Sequence, residues 1–429
     1  MKTDYLINKN DRDHLRLLAK KQLEYANLPV MAERKKLWYA HNALKSDRPV
    51  IAFDTNPFLQ EMMPPYKCES ETGRYFEKEF YRHITNHELI DDDKVVPDFF
   101  AVDHKFNNKM FGLDYHVTRT DADKTGRQLA YHVDKTIEDL DRDFKKLRPS
   151  VIGYDIEQTN KIKNAAQDAF GDILPVIVKN TNNTWLGLSS RIVTLMGLED
   201  MMLYLIDNPE KMHKLYDFIT DDLIRTIKWQ ENQGLLTLNN GNDYAGAGSR
   251  GFTDELPKST DGIVRTGDLW GNLNSQETVS VSAAMYHEFC FPYYYRLAEI
   301  FGLVYYGCCE PVHAIWEDSV SKYPGLRKVS ISPWCNEEYM GEALRDSIKK
   351  AVPGKYGVIY SRKPSPNYIG VGKVFDEEGF TIHITKTLKA AHGCTLEIIS
   401  RDVVTLTDDI KKPGRATKII RSLIEKYWQ

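Results

Sequence analysis

The stretch Leu303-Val-Tyr-Tyr-Gly-Cys-Cys-Glu-Pro-Val-His313 decides the reading of this 429-residue chain. Four apolar and aromatic residues suit a short buried strand. Gly307 interrupts it, two thiols and a carboxylate follow, and Pro311 stands at a position that favours the start of a helix. Similar runs recur at Ile173–Val178, Leu235–Leu238, Lys328–Ser332, Gly357–Tyr360 and Thr395–Ser400. Between them the period becomes helical: Met340, Leu344 and Ile348 share one face, as do Ile420, Leu423, Ile424 and Tyr427. Gly302, Pro324-Gly325, Pro353-Gly354 and Gly393 punctuate the alternation shortly before strands. Strands alternating with helices predict a parallel α/β fold, here a (β/α)₈ TIM-type barrel occupying residues 151–429.

Residues 1–150 differ in character. They are polar and aromatic, with charge runs such as Asp91-Asp-Asp-Lys and Asp139-Leu-Asp-Arg-Asp. A helix is expected over Asp11–Ala26, with Leu15, Leu17, Leu18 and Leu23 among charges, and a short strand at Pro49-Val-Ile-Ala-Phe53. The segment as a whole reads as a helical or irregular extension capping the barrel.

Composition bounds the function. Apolar residues make up 42%, enough for a large core, and no run approaches the ~20 apolar residues of a membrane span. The N-terminus shows no apolar signal region, so the expected location is cytoplasmic. A net charge of −4 and a pI near 6.3 argue against a nucleic-acid partner. Six cysteines in a chain of this length, two of them adjacent, read as reduced thiols rather than a disulfide framework.

In a β/α barrel the C-terminal strand ends carry function. After Leu238 comes Asn239-Asn-Gly-Asn-Asp-Tyr244, where Asn239, Asn240 and Tyr244 can hydrogen-bond a ligand. In Gly267–Thr278, Trp270 can stack on a planar substrate and Gln276 can orient it. Strand period two places Tyr306, Cys308 and Glu310 on one face. Cys308 and Glu310, joined by Cys335 after the next strand, form a candidate zinc set. Arg362 ends a strand and can hold an anion, while Asp402 can act as acid, base or ligand. Cys394 begins its strand and falls on the opposite, stabilising rim. The catalytic reading therefore requires Cys308 and Cys309 to open onto the same cavity as the Asn pair after Leu238.

Several of these segments together resemble the uroporphyrinogen decarboxylase-like superfamily: Leu238-Asn-Asn-Gly-Asn-Asp-Tyr, Trp270 to Glu277, Tyr305-Tyr-Gly-Cys-Cys-Glu-Pro, Ser330-Ile-Ser-Pro-Trp, and Gly393-Cys-Thr-Leu-Glu-Ile-Ile to Asp402. The resemblance covers roughly residues 170–428 and implies a TIM barrel. Its decarboxylases grip carboxylates with an arginine-rich early loop, whereas Ile51-Ala-Phe-Asp-Thr-Asn-Pro has no arginine. Its zinc methyltransferases use a His-x-Cys pair, where this chain has Tyr306-Gly-Cys308, and a late cysteine for which Cys394 is the candidate by chain order. The resemblance implies a zinc-assisted methyltransferase that moves a methyl group from a small substrate, a methoxylated aromatic among the options, to cobalamin or a corrinoid protein. Glu310 and Asp402 would be its catalytic carboxylates, and a homodimer is one open assembly. Two alternatives stand beside it: a decarboxylase-like lyase acting on a carboxylate substrate, and a non-catalytic corrinoid-binding barrel.

Overall fold

The computed structural model describes residues 5–121, 131–180, 184–349 and 357–428; the turn expected at Pro353-Gly354 lies outside the described residues. Eight parallel strands carry the architecture: β1 (Val50–Phe53), β2 (Phe100–Asp103), β3 (Val176–Lys179), β4 (Trp270–Leu273), β5 (Leu303–Tyr306), β6 (Leu326–Ile331), β7 (Ile359–Arg362) and β8 (Leu396–Ser400). Six form one sheet in the order β1-β8-β7-β6-β5-β4, and β2 pairs with β3 separately. β5, β6, β7 and β8 are buried along their whole lengths, as expected for strands covered on both faces. Fifteen α-helices are assigned among the described residues.

The main sheet and the β2–β3 pair are not joined into one backbone ladder, so their neighbouring edges need other partners. At the free edge of β1, the Asp93 amide donates to Ile51 O (2.9 Å), and the Asp93 carboxylate accepts from Ile51 N (2.8 Å). The Asp92 carboxylate accepts from Phe53 N at 2.7 Å. At the free edge of β4, Asn272 exchanges backbone bonds with Thr184 and Leu186. The Asn239 side chain brackets Trp270, accepting from its amide (2.9 Å) and donating to its carbonyl (3.0 Å). These contacts satisfy peptide groups that would otherwise be buried without a partner.

Two expectations are corrected here. Leu235–Leu238 is not a strand: it meets β3 through Asn180, whose amide donates to Thr237 Oγ1 and whose side chain donates to Leu235 O. The division at residue 150 does not separate a cap from the sheet, because β1 pairs with β8 and β2 with β3. The first helix spans Lys9–Ala26, capped by Asn8, and buries Leu15 and Leu18 while Leu17 faces solvent. Phe80, Phe100 and Phe170, with ring centroids 5.0 Å apart, join the helix Glu71–Thr85, β2 and the helix Ile156–Phe170. Among the described residues, no helix is long and apolar enough to cross a membrane.

Asp93 is almost fully buried and also binds Arg48 through both carboxylate oxygens (2.9 and 3.0 Å). Asp93→Ala strands the Ile51 amide and the Arg48 guanidinium together. The expected loss is about 2–4 kcal/mol in urea unfolding. Lys373→Ala, at an exposed site, should change stability by less than about 0.5 kcal/mol.

Candidate active site

At the C-terminal ends of the strands lies a cavity of about 760 Å³. β1 contributes Asp54, β4 contributes Asn272 and Asn274, β5 contributes Gly307 and Cys308, and β8 contributes Arg401. The segment after residue 94 supplies Lys94 and Val95, and Trp185 and Gln276 also reach the lining. A hairpin, Tyr244–Gly246 with Ser249–Arg250, forms another part of the wall. Its turn needs positive φ at Ala247 (41°) and Gly248 (89°). A Cβ on Gly248 would meet Ile399 Cγ2 at 2.6 Å, so glycine lets the hairpin sit directly on β8.

Cys308 enters the cavity because Gly307 adopts φ +98°, ending the strand alternation. Tyr306 therefore does not share its face. The Tyr306 hydroxyl instead pairs with Ser275 Oγ (2.6 Å) and the Tyr286 hydroxyl (2.5 Å) in the surrounding packing. Cys308 Sγ lies 3.6 Å from Cys309 Sγ, which lies 3.5 Å from Asp402 Oδ2. Hydrogen bonding from Cys309, helped by the Arg401 charge, lowers the Cys308 pKa below that of an ordinary thiol. Cys309 is raised by the same pairing and by burial. Arg401 is pulled down by burial, yet Cys308, Tyr244 and Asp402 hold it above its ordinary value. Asp402 takes φ +61° at the exposed rim and accepts from Arg401 Nε at 3.2 Å.

The expected zinc set does not fit. Glu310 is buried, and each of its oxygens accepts a backbone amide: Oε1 from Ser275 and Oε2 from Cys308, both at 2.9 Å. Burial nevertheless raises its pKa. Cys335 is buried away from the cavity lining, with Sγ 3.7 Å from Ser332 Oγ and 3.9 Å from Glu310 O. Among the described residues, no group of three or more His, Cys, Asp or Glu side chains is placed to hold a metal ion. Glu310 is a clamp between the ends of β4 and β5, and its carboxylate is committed to that role.

The other anticipated residues divide. Tyr244 and Gln276 line the cavity; burial pushes the Tyr244 phenol up to about 12. Trp270 does not. Its ring is fully buried below, with Nε1–H donating to Gly251 O (2.9 Å) and Lys328 Nζ 5.5 Å from its centroid. Asn239 is spent on Trp270, and Asn240 donates to Leu256 O at 2.6 Å. From that segment it is Asn242, Asp243 and Tyr244, not the Asn pair, that share the cavity with Cys308. Arg362 is wholly buried, bonded to Glu337 (2.8 Å) and to the carbonyls of Ile331 and Ser332, and cannot reach an anion there. Cys394 lies buried at the foot of β8, with Sγ 3.3 Å from Gly341 O.

Sequence reasoning missed Asp54, Lys94, Trp185, Arg250 and Arg401 as lining residues. Asp54 and Arg401 could have been found, because each immediately follows a strand. Trp185 is the aromatic that does reach the cavity, its Nε1–H held by Asn274 Oδ1 at 2.7 Å.

No protein-family model matches this chain, and no curated protein matches it. 23 chains of solved structure do match. Among them is a methyltransferase from Methanosarcina mazei, to which this chain is similar with a TM-score of 0.49 at 11% identity, covering 92% of this chain and 99% of that one.

At pH 7 Cys308 should react with iodoacetamide faster than Cys309 or Cys335, as mapped by mass spectrometry. Removing the cation in Arg401→Met raises the Cys308 pKa and should slow its labelling several-fold. Equal rates in the two proteins would refute the electrostatic account.

Proposed function

We propose that this chain is an enzyme that moves a methyl group from a small methylated substrate, such as a methoxylated aromatic, to cobalamin or a corrinoid protein. The reaction class comes from the resemblance of the strand-end motifs, and the geometry supports a matching chemical role. The observation that carries it is the file Asp402–Cys309–Cys308, which runs from the exposed rim to the cavity with successive separations of 3.5 and 3.6 Å. When a methyl group leaves an ether, the departing oxygen must take up a proton. Cys308, as the thiol, delivers that proton into the cavity. Arg401 stabilises the thiolate left behind, and Cys309 with Asp402 returns a proton from solvent. Tyr244, Gln276 and Trp185 line the space for the organic group. A cavity of about 760 Å³ suits a small donor, and a corrinoid, when bound, would supply the nucleophile that accepts the methyl group. Zinc on Cys308, Glu310 and Cys335 has no part in this reading. The eight parallel strands are taken as a (β/α)₈ barrel sealed at two seams by side chains and isolated backbone bonds.

A lyase acting on a carboxylate is the second reading, favoured by Lys94, Lys179, Arg250 and Arg401 in one lining. Cys308 would there protonate carbon in place of oxygen.

The test is methyl transfer to reduced cobalamin from a panel of methoxy, methylamine and methylthiol compounds, followed by the cobalamin absorbance change. Turnover with at least one methoxy compound is expected. Cys308→Ser should lower kcat about 100-fold or more, and Asp402→Asn about tenfold. Silence across the panel would remove methyl transfer and leave the lyase.

A further inference from the structure

Arg250 stands apart from the other cations of the cavity. Lys179 is paired with Asp243 at 2.5 Å, Arg82 with Glu79 at 2.8 Å, and Arg401 with Asp402. The guanidinium of Arg250 makes no hydrogen bond or ion pair with another described residue, and its Nε is buried without a partner. The residue is nonetheless held in place. Arg250 is the cross-strand partner of Tyr244, which puts both side chains on one hairpin face, and both line the cavity.

Asp54, Asp92 and Asp243 are the carboxylates that face Arg250 electrostatically, with Tyr244 beside them. Asp92 is already engaged by Phe53 N, Lys94 N and Asn86, and Asp243 by Lys179. Lys94 is buried next to Arg250 and Arg82, and its ammonium donates to the side-chain oxygen of Asn86 at 3.1 Å. Burial and these neighbouring cations bring Lys94 down to about 8. Two cations brought together in a low-dielectric wall are costly unless an anion joins them.

We propose that Arg250, with Lys94 beside it, is a carboxylate-binding site in the cavity wall, and that the substrate is a small carboxylic acid. The proposal rests on this cavity being the substrate site and holds for either reaction above. A planar guanidinium presents parallel N–H donors that match a carboxylate in a two-point contact. A phosphate dianion fits less well, because it would bring one more negative charge than a carboxylate into a lining that already holds Asp54, Glu79, Asp103 and Asp243.

Calorimetric titration of the full chain with 4-methoxybenzoate, benzoate, methoxybenzene and inorganic phosphate tests this without requiring turnover. Both benzoates should bind at least tenfold more tightly than methoxybenzene. Arg250→Gln should weaken benzoate binding at least tenfold, and Lys94→Met should weaken it to a smaller degree. Methoxybenzene should bind R250Q as it binds the natural chain, which also shows that the variant is folded. Equal affinity for methoxybenzene and methoxybenzoate would overturn the proposal, as would benzoate binding within twofold in R250Q or phosphate binding more tightly than benzoate. Benzoate binding through Arg250 with no methyl transfer would keep the carboxylate site and discard only the methyltransferase reading.

Discussion

A buried parallel strand cannot leave its edge amides and carbonyls unpaired, and this chain meets that demand at two seams with side chains and a few isolated backbone bonds. At β1 the carboxylates of Asp92 and Asp93 receive the amides of Phe53 and Ile51. At β4 the Asn239 amide brackets Trp270, while Thr184 and Leu186 hold Asn272 through the backbone. Each seam feeds the cavity directly. Lys94 and Val95 follow Asp93 into the lining, Trp185 lies between the two residues that hold Asn272, and Asn242 to Arg250 follow Asn239. The edge solution and the placement of the site are thus one structural event.

Beneath the cavity a polar network fixes the hairpin to the strands. Lys328 and Glu397, both fully buried, pair at 3.0 Å; Ser249 Oγ donates to Glu397 at 2.8 Å, and Lys328 donates to Ser249 at 2.6 Å. Ser361 donates to the other Glu397 oxygen at 2.5 Å, and His41 lies 3.2 Å from the first. A buried ion pair adds little net stability on its own, because desolvation offsets most of the attraction. Its use here is geometric. Ser249 neighbours Arg250, so satisfying Glu397 sets the height and direction of the hairpin face that carries Arg250 and Tyr244.

The fold is legible where the strands are continuous apolar runs. Leu303–Tyr306 reads with its true bounds, and Lys328–Ser332, Gly357–Tyr360 and Thr395–Ser400 each fall within two residues of a real strand. β2 and β4 escape such a reading, because Phe100-Ala-Val-Asp and Trp270-Gly-Asn-Leu mix small and polar residues into strands of four. Leu235–Leu238 carries an apolar signal but lies where side chains, not a ladder, fill the seam. The charge run at Asp91 shows no periodicity, and the burial of Asp93 depends on a β1 amide 42 residues earlier, which local reading cannot reach. The site is legible only in part for the same reason. Strand-end position locates Cys308, and the polar runs after Leu238 and Trp270 point to Tyr244 and Gln276, yet neither signal can tell which polar side chains are consumed by the protein itself, as Arg362, Asn239 and Glu310 are.

Glu310 shows how that distinction works physically. Its spacing from Cys308 looks like a ligand pair, and a carboxylate beside a thiol at a strand end is chemically suited to a metal. The backbone decides otherwise. Gly307 turns the chain through positive φ, which leaves the Cys308 amide facing inward without a ladder partner, and Glu310 Oε2 accepts it while Oε1 takes Ser275 N. The carboxylate is therefore the reason the thiol can face the cavity: without it, the turn would bury two amides unpaired. The sulfur is left facing the cavity, with Cys309 at 3.6 Å behind it and Asp402, at the exposed rim, 3.5 Å beyond.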